Sequence, residues 1–168
     1  MKPEELRDLN VIGAFTLALA DDLKGAMEDL AEGNESSCAA LIVIGQESGL
    51  SVDRLSKILR LSQPGTVRLV DRLAAAKLVE RKTGTDRRSV ALRLTEAGKR
   101  QVRSLLVGRR HALVQALRGL DDWERSTLTA IASKVLRGLE HSQVECDRRC
   151  RLCDDNSCPD ESCPMMVG

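Results

Sequence analysis

Between residues 51 and 94 the hydrophobic period of the chain changes from 3.6 to 2, and few folds accommodate such a change over so short a distance. Ser51 can cap a helix whose apolar side is Val52, Leu55, Ile58 and Leu59. A second helix starts three residues later, with Ser62 at its N-cap and Pro64 in its first turn, where a missing N–H costs nothing. Val67, Leu69, Val70 and Leu73 are assigned to its inner side. Then Val79 and Arg81, followed by Val90, Leu92 and Leu94, alternate with polar or small residues around the turn-rich stretch from Lys82 to Arg88, whose tip is basic. Two short helices joined tightly and followed at once by a hairpin predict a winged helix-turn-helix.

The flanking segments are helical. Leu9, Ile12, Thr16, Leu19, Leu23, Ala26 and Leu30 recur at spacings of three and four along residues 4–31, which Gly33 and Asn34 would end. Cys38 to Ile44 reads as a short buried helix, and two further amphipathic stretches cover 96–118 and 122–141, the latter opened by Asp121 with Glu124 as a capping box. The fold class is therefore mainly α with a small β-hairpin wing. The apolar seams of 4–31 and 96–145 are the expected material of a homodimer formed through the N- and C-terminal helices. Beyond Glu145 the periodicity is lost, so a domain of residues 1–145 is expected to be followed by a cysteine-rich tail of 146–168.

Composition narrows the partners. One Trp, one Phe and no Tyr in 168 residues leave no aromatic platform for stacking single-stranded bases. The net charge of +1 hides an uneven distribution: residues 1–53 carry 3 basic and 11 acidic side chains, 54–110 carry 16 and 4, and 111–168 carry 7 and 10. The winged segment thus holds the polyanion-binding charge, which points to double-stranded DNA. No run approaches the roughly 20 apolar residues of a membrane span. The apolar run Val11 to Ala20 follows Glu4, Glu5 and Asp8 rather than a basic start, so a cytoplasmic protein is expected. No nucleophile–base set or phosphate loop points to an enzyme.

Leu61 to Leu73, then Leu78-Val79-Glu80-Arg81, Asp86-Arg87-Arg88 and Leu94-Thr95-Glu96-Ala97-Gly98, resemble the recognition helix, wing and fifth helix of the MarR family of bacterial transcription regulators. The resemblance covers about residues 5–140. It implies a homodimer that binds a pseudo-palindromic operator. Carried over by position, it implies DNA contacts from Ser62 and Gln63 at the start of the recognition helix, from Arg68 on its exposed face and from Thr66 or Val67. In the wing it implies a minor-groove contact for Arg88, a phosphate contact for Arg87 and a tip held by Asp86. Family members that sense peroxide hold a cysteine between tyrosines; here, without Tyr, Cys38 reads as a buried core residue. His111 and His141 are expected to be ordinary surface or core histidines, with His141 kept as a reserve ligand near the tail.

Five of the six cysteines lie between 146 and 163, spaced Cys146-x3-Cys150-x2-Cys153-x4-Cys158-Pro159-x3-Cys163-Pro164. The Cys-x-x-Cys pair can aim two sulfurs at one ion, and two more thiols on short loops complete four-fold thiolate coordination. Cys150, Cys153, Cys158 and Cys163 are the expected ligands, with Cys146 spare or alternative. A single knuckle and two Cys-Pro dipeptides favour an iron–sulfur cluster over zinc, and a metal-free thiol–disulfide switch is the third reading. The spacing of Cys146, Cys150 and Cys153 also fits radical SAM enzymes, but the chain is too short and too helical for their barrel. The combined expectation is a DNA-binding regulator switched by redox, oxygen or iron state. A small-molecule ligand between the lobes, with zinc as a clip, is the alternative.

Overall fold

The computed structural model describes residues 2–29, 34–83, 90–139, 142–158 and 163–165. In chain order the elements are α1 (Pro3–Glu28), α2 (Glu35–Gln46), β1 (Leu50–Ser51), α3 (Val52–Leu59), α4 (Gln63–Ala75), β2 (Val79–Thr83), β3 (Val90–Leu94), α5 (Glu96–Ala116), α6 (Asp122–Arg137) and α7 (Gln143–Arg149). The sheet is antiparallel with order β1-β3-β2, and Val79 faces Leu94 at the base of the hairpin. This is the expected helical chain with a small wing, plus two elements the sequence reading lacked. β1 is only two residues long and pairs Leu50 with Leu92, so it leaves no alternation to detect. α7 is capped by Ser142, whose side chain accepts from Glu145 N, and runs through the boundary expected at residue 145.

Local chemistry sets the helix starts. Side chains of Asn34, Ser51, Ser62, Thr95 and Asp121 each accept a backbone N–H from the first turn of the helix that follows. Each such cap stabilises its helix by about 1 kcal/mol. Asp121 and Glu124 form the full capping box. Asn34, expected to stop α1, instead starts α2, and α1 ends at Glu28 with Asp29 as its cap. Leu30 and Gly33 lie outside the described residues.

The core forms around α2, whose residues Ser37 to Ile44 are all buried. Leu55 and Ile58 of α3, Leu69, Val70 and Leu73 of α4, Leu92 of β3, Leu105 of α5 and Met27 of α1 close on it. Cys38 is fully buried, its Sγ donating to Met27 O, and burial pushes its thiol pKa up, as expected of an inert core cysteine. His111 is exposed, and His141 lies outside the described residues. α1 and α6 are different. Leu6, Leu9, Ile12 and Phe15 of α1 are 40–59% exposed, as are Ile131 and Val135 of α6 at 56% and 59%. Among the described residues no helix is long and apolar enough to cross a membrane.

The start of α5 lies so close to the turn between α4 and β2 that a Cβ on Gly98 would stand 2.0 Å from the carbonyl oxygen of Leu78. Backbone cannot yield as a flexible side chain does. Gly98→Ala is expected to destabilise the fold by about 3 kcal/mol, the upper part of the range for overpacking, as read by urea unfolding.

Candidate functional site

The helix expected to read DNA is α4. Residues 66, 69, 70 and 73 repeat at i, i+3, i+4 and i+7, and all four are buried. Thr66 therefore belongs to the core: it is fully buried, and its hydroxyl donates to Ser62 O. This corrects two expectations, for Thr66 is not available to DNA in this conformation and Val67, assigned to the inner side, is 40% exposed. A rotation of 100° per residue explains the exchange. Gln63, Pro64, Val67, Arg68, Asp71 and Arg72 make up the exposed strip. Such a surface can offer polar groups and a guanidinium to base edges and a branched methyl to thymine.

Ser62 and Gln63 already have partners. Ser62 Oγ accepts from Gly65 N at 3.2 Å, and Gln63 Nε2 donates to Asp53 Oδ1 at 2.9 Å. Asp53 also pairs with Lys57, and that hydrogen bond holds its carboxyl below the usual range. At the other end, Asp71 pairs with Arg81 of β2 at 2.8 Å, fixing the base of the wing to α4. Asp86, Arg87 and Arg88, the expected wing tip, lie outside the described residues.

The second site is made by the tail. Cys146, Cys150, Cys153, Cys158 and Cys163 all line one cavity of about 220 Å³, together with Val43 and Gln46 of α2, Glu47 just beyond it, and Arg54 and Ile58 of α3. Cys146 and Cys163 are buried, and the other three are half-buried. The Cys150 thiol hydrogen-bonds to the Cys153 sulfur, which lowers the Cys153 pKa to about 7, with the Arg109 guanidinium adding to the effect. The same bond and burial push Cys150 up. Burial, and then the neighbouring Cys163, push the Cys158 thiol up. The thiols share one cavity, although among the described residues no three Cys, His, Asp or Glu side chains are already arranged to hold an ion. The donors fit a thiophilic metal in kind and in number. Cys146 stands apart chemically, since its Sγ donates to Met165 O at 3.3 Å.

The tail docks on the helix-turn-helix itself. Leu136 of α6 does touch the cysteine cluster, but Leu152 is packed against the main core. Arg54 of α3 bridges Glu47 at 2.7 Å and Asp147 of α7 at 2.9 Å, Arg60 reaches Glu145 at 3.4 Å, and Arg151 pairs with Glu35 of α2 at 2.9 Å. Gln46 Nε2 donates to Cys153 O, Asp155 Oδ1 and Cys150 O at 2.9, 3.0 and 3.4 Å. A larger cleft of about 800 Å³ lies across this loop, between α2, β3 and α5, with Ile44, Leu94, Val102, Arg93 and Arg103 in its walls. No sequence pattern announces these contacts, because Gln46 and Arg54 are about 100 residues from their partners.

The sequence profile of the MarR family matches residues 35–89, and no curated sequence matches the chain. Among solved structures, YusO of Bacillus subtilis superposes with a TM-score of 0.69 at 20% identity, over 83% of this chain and all of that one. Wild-type MarR of Escherichia coli in its apo form gives 0.64 at 22% identity, over 76% and 95% of the two chains. The MarR family protein RV2887 of Mycobacterium tuberculosis, in complex with salicylic acid, gives 0.60 at 18%, over 74% and 93%. The fold is that of a MarR-like winged helix-turn-helix.

Burial separates the two central residues of α4. Thr66→Ala is expected to cost about 1–2 kcal/mol in thermal or urea unfolding by orphaning space around the core, while leaving the preferred duplex unchanged. Val67→Ala is expected to leave stability within about 0.5 kcal/mol and to change the preferred duplex in a selection from random sequences.

Proposed function

We propose that the protein is a homodimeric DNA-binding transcription regulator of MarR type, whose affinity for a pseudo-palindromic operator is set by an iron–sulfur cluster held on its C-terminal cysteines. The observation that carries this reading is the position of the five thiols, gathered in one cavity against α2 and α3 of the same lobe that presents α4. Cys150, Cys153, Cys158 and Cys163 would supply the thiolates, and Cys146, engaged with Met165 O, is the spare. Bound there, a cluster supplies a cross-link that oxygen, oxidants or iron shortage can remove. The rest follows from this chain's own residues: Gln63, Val67 and Arg68 meet the major groove, and Arg87 and Arg88 reach the backbone and minor groove from the wing. The exposed apolar residues of α1 and α6 cover one another in the dimer, whose lobes read half-sites about 34 Å apart.

A second reading keeps the DNA-binding dimer, makes the tail a zinc clip and assigns control to a small ligand. The cleft of about 800 Å³ beside the cysteine loop favours it, together with the salicylic acid found with RV2887.

The test is a duplex selected from random sequence by the full chain, followed by titration of the metal-loaded and chelator-stripped protein. The affinity should fall steeply with salt, and Arg68→Ala should weaken binding by about 1–3 kcal/mol. Stripping should change the dissociation constant by about tenfold or more. An affinity for the selected duplex no better than for bulk DNA would refute the regulator, and one indifferent to stripping would refute control by the cluster.

A further inference from the structure

Gln46 is the last residue of α2, and its carboxamide is inserted into the turn of the Cys150-Arg151-Leu152-Cys153 knuckle. An amide nitrogen carries two donor hydrogens, and here three acceptors surround it: the carbonyls of Cys150 and Cys153 and the carboxylate of Asp155. That arrangement holds only while the knuckle keeps one shape. Arg54 adds a second tie, joining Glu47 at the end of α2 to Asp147 of α7. Leu152, between the knuckle cysteines, packs into the main core, so a change in the knuckle is felt beneath α2 and α3. Contacts toward α5, whose far face carries exposed apolar residues, are weaker. Arg110 meets Asp154 at 3.6 Å and is 67% exposed, and the buried Nε of Arg109 has no partner among the described residues.

We propose that Gln46 is the positioning residue that couples the cysteine knuckle to the helix-turn-helix of its own lobe, through the seats of α2 and α3. This rests on the reading that the cysteines hold a metal. It differs from control through the dimer helices, because the state of the site is passed to α4 without a change at the subunit interface. Gln46 also forms part of the wall shared by the cysteine cavity and the larger cleft, so anything that moves it opens one toward the other.

The experiment uses the full chain as wild type, Gln46→Met, Gln46→Lys and Arg110→Met. Each is purified without oxygen and measured for metal content, rate of metal release to a chelator, and dissociation constant for the selected duplex when loaded and stripped. Gln46→Met keeps the length of the side chain and loses the donor. It is expected to release metal about tenfold faster or, while loaded, to show a loaded-to-stripped affinity ratio below about twofold. Gln46→Lys, whose ammonium can donate to the same carbonyls, is expected to recover both values, and Arg110→Met, which removes the weak contact with Asp154, to keep the wild-type ratio. Wild-type release and ratio in Gln46→Met would overturn the proposal, as would loss of the ratio in Arg110→Met alone. Should Gln46→Met fail to fold, Arg54→Met takes the same measurements and the same criteria. A wild-type chain that holds no metal refutes the metal reading itself, a result distinct from any difference among the variants.

Discussion

Burial of α2 on every side is the constraint that organises the molecule. A helix whose residues from Ser37 to Ile44 are all excluded from water cannot be a surface element, and each neighbouring element covers part of it. α3 and α4 take their seats from that packing, so the exposed strip of α4 is oriented by residues buried beneath it. The last residue of the same helix, Gln46, receives the cysteine knuckle. One buried helix therefore supports α4 from beneath and touches the loop that carries the thiols.

Charge is arranged around the same frame. Of the sixteen basic residues between 54 and 110, Arg54, Arg60 and Arg110 are met by Asp147, Glu145 and Asp154 of the C-terminal region. The acidic tail so offsets part of the field that the winged segment would otherwise present to a polyanion. Exposed pairs of this kind are individually weak, and salt screens them. Their number and common placement give the docked tail an electrostatic consequence for the lobe that no single pair would have.

Much of the architecture was legible in the sequence, for reasons that can be named. Ser51, Ser62 and Asp121 announce their helices because capping is local chemistry, and the hairpin is visible because its alternation is uninterrupted at Val90 to Leu94. The inner face of α4 was partly misread, since Val67 is apolar and Thr66 is not, although the i, i+3, i+4 spacing from Thr66 to Leu73 carries the right answer. The clustering of the cysteines could be read from spacing alone. Their docking surface could not, because Gln46, Arg54 and Arg60 are ordinary polar residues whose partners are fixed only by the tertiary fold. α7 was missed because seven residues hold barely two turns of period.

Whether Cys150, Cys153, Cys158 and Cys163 hold a metal against α2 and α3 is decided by elemental analysis with an absorption spectrum of the full chain purified without oxygen. A brown protein absorbing at about 400 nm, with iron and sulfide in matching amounts, is expected. A colourless chain with its tail thiols free and neither iron nor zinc bound would rule the metal site out.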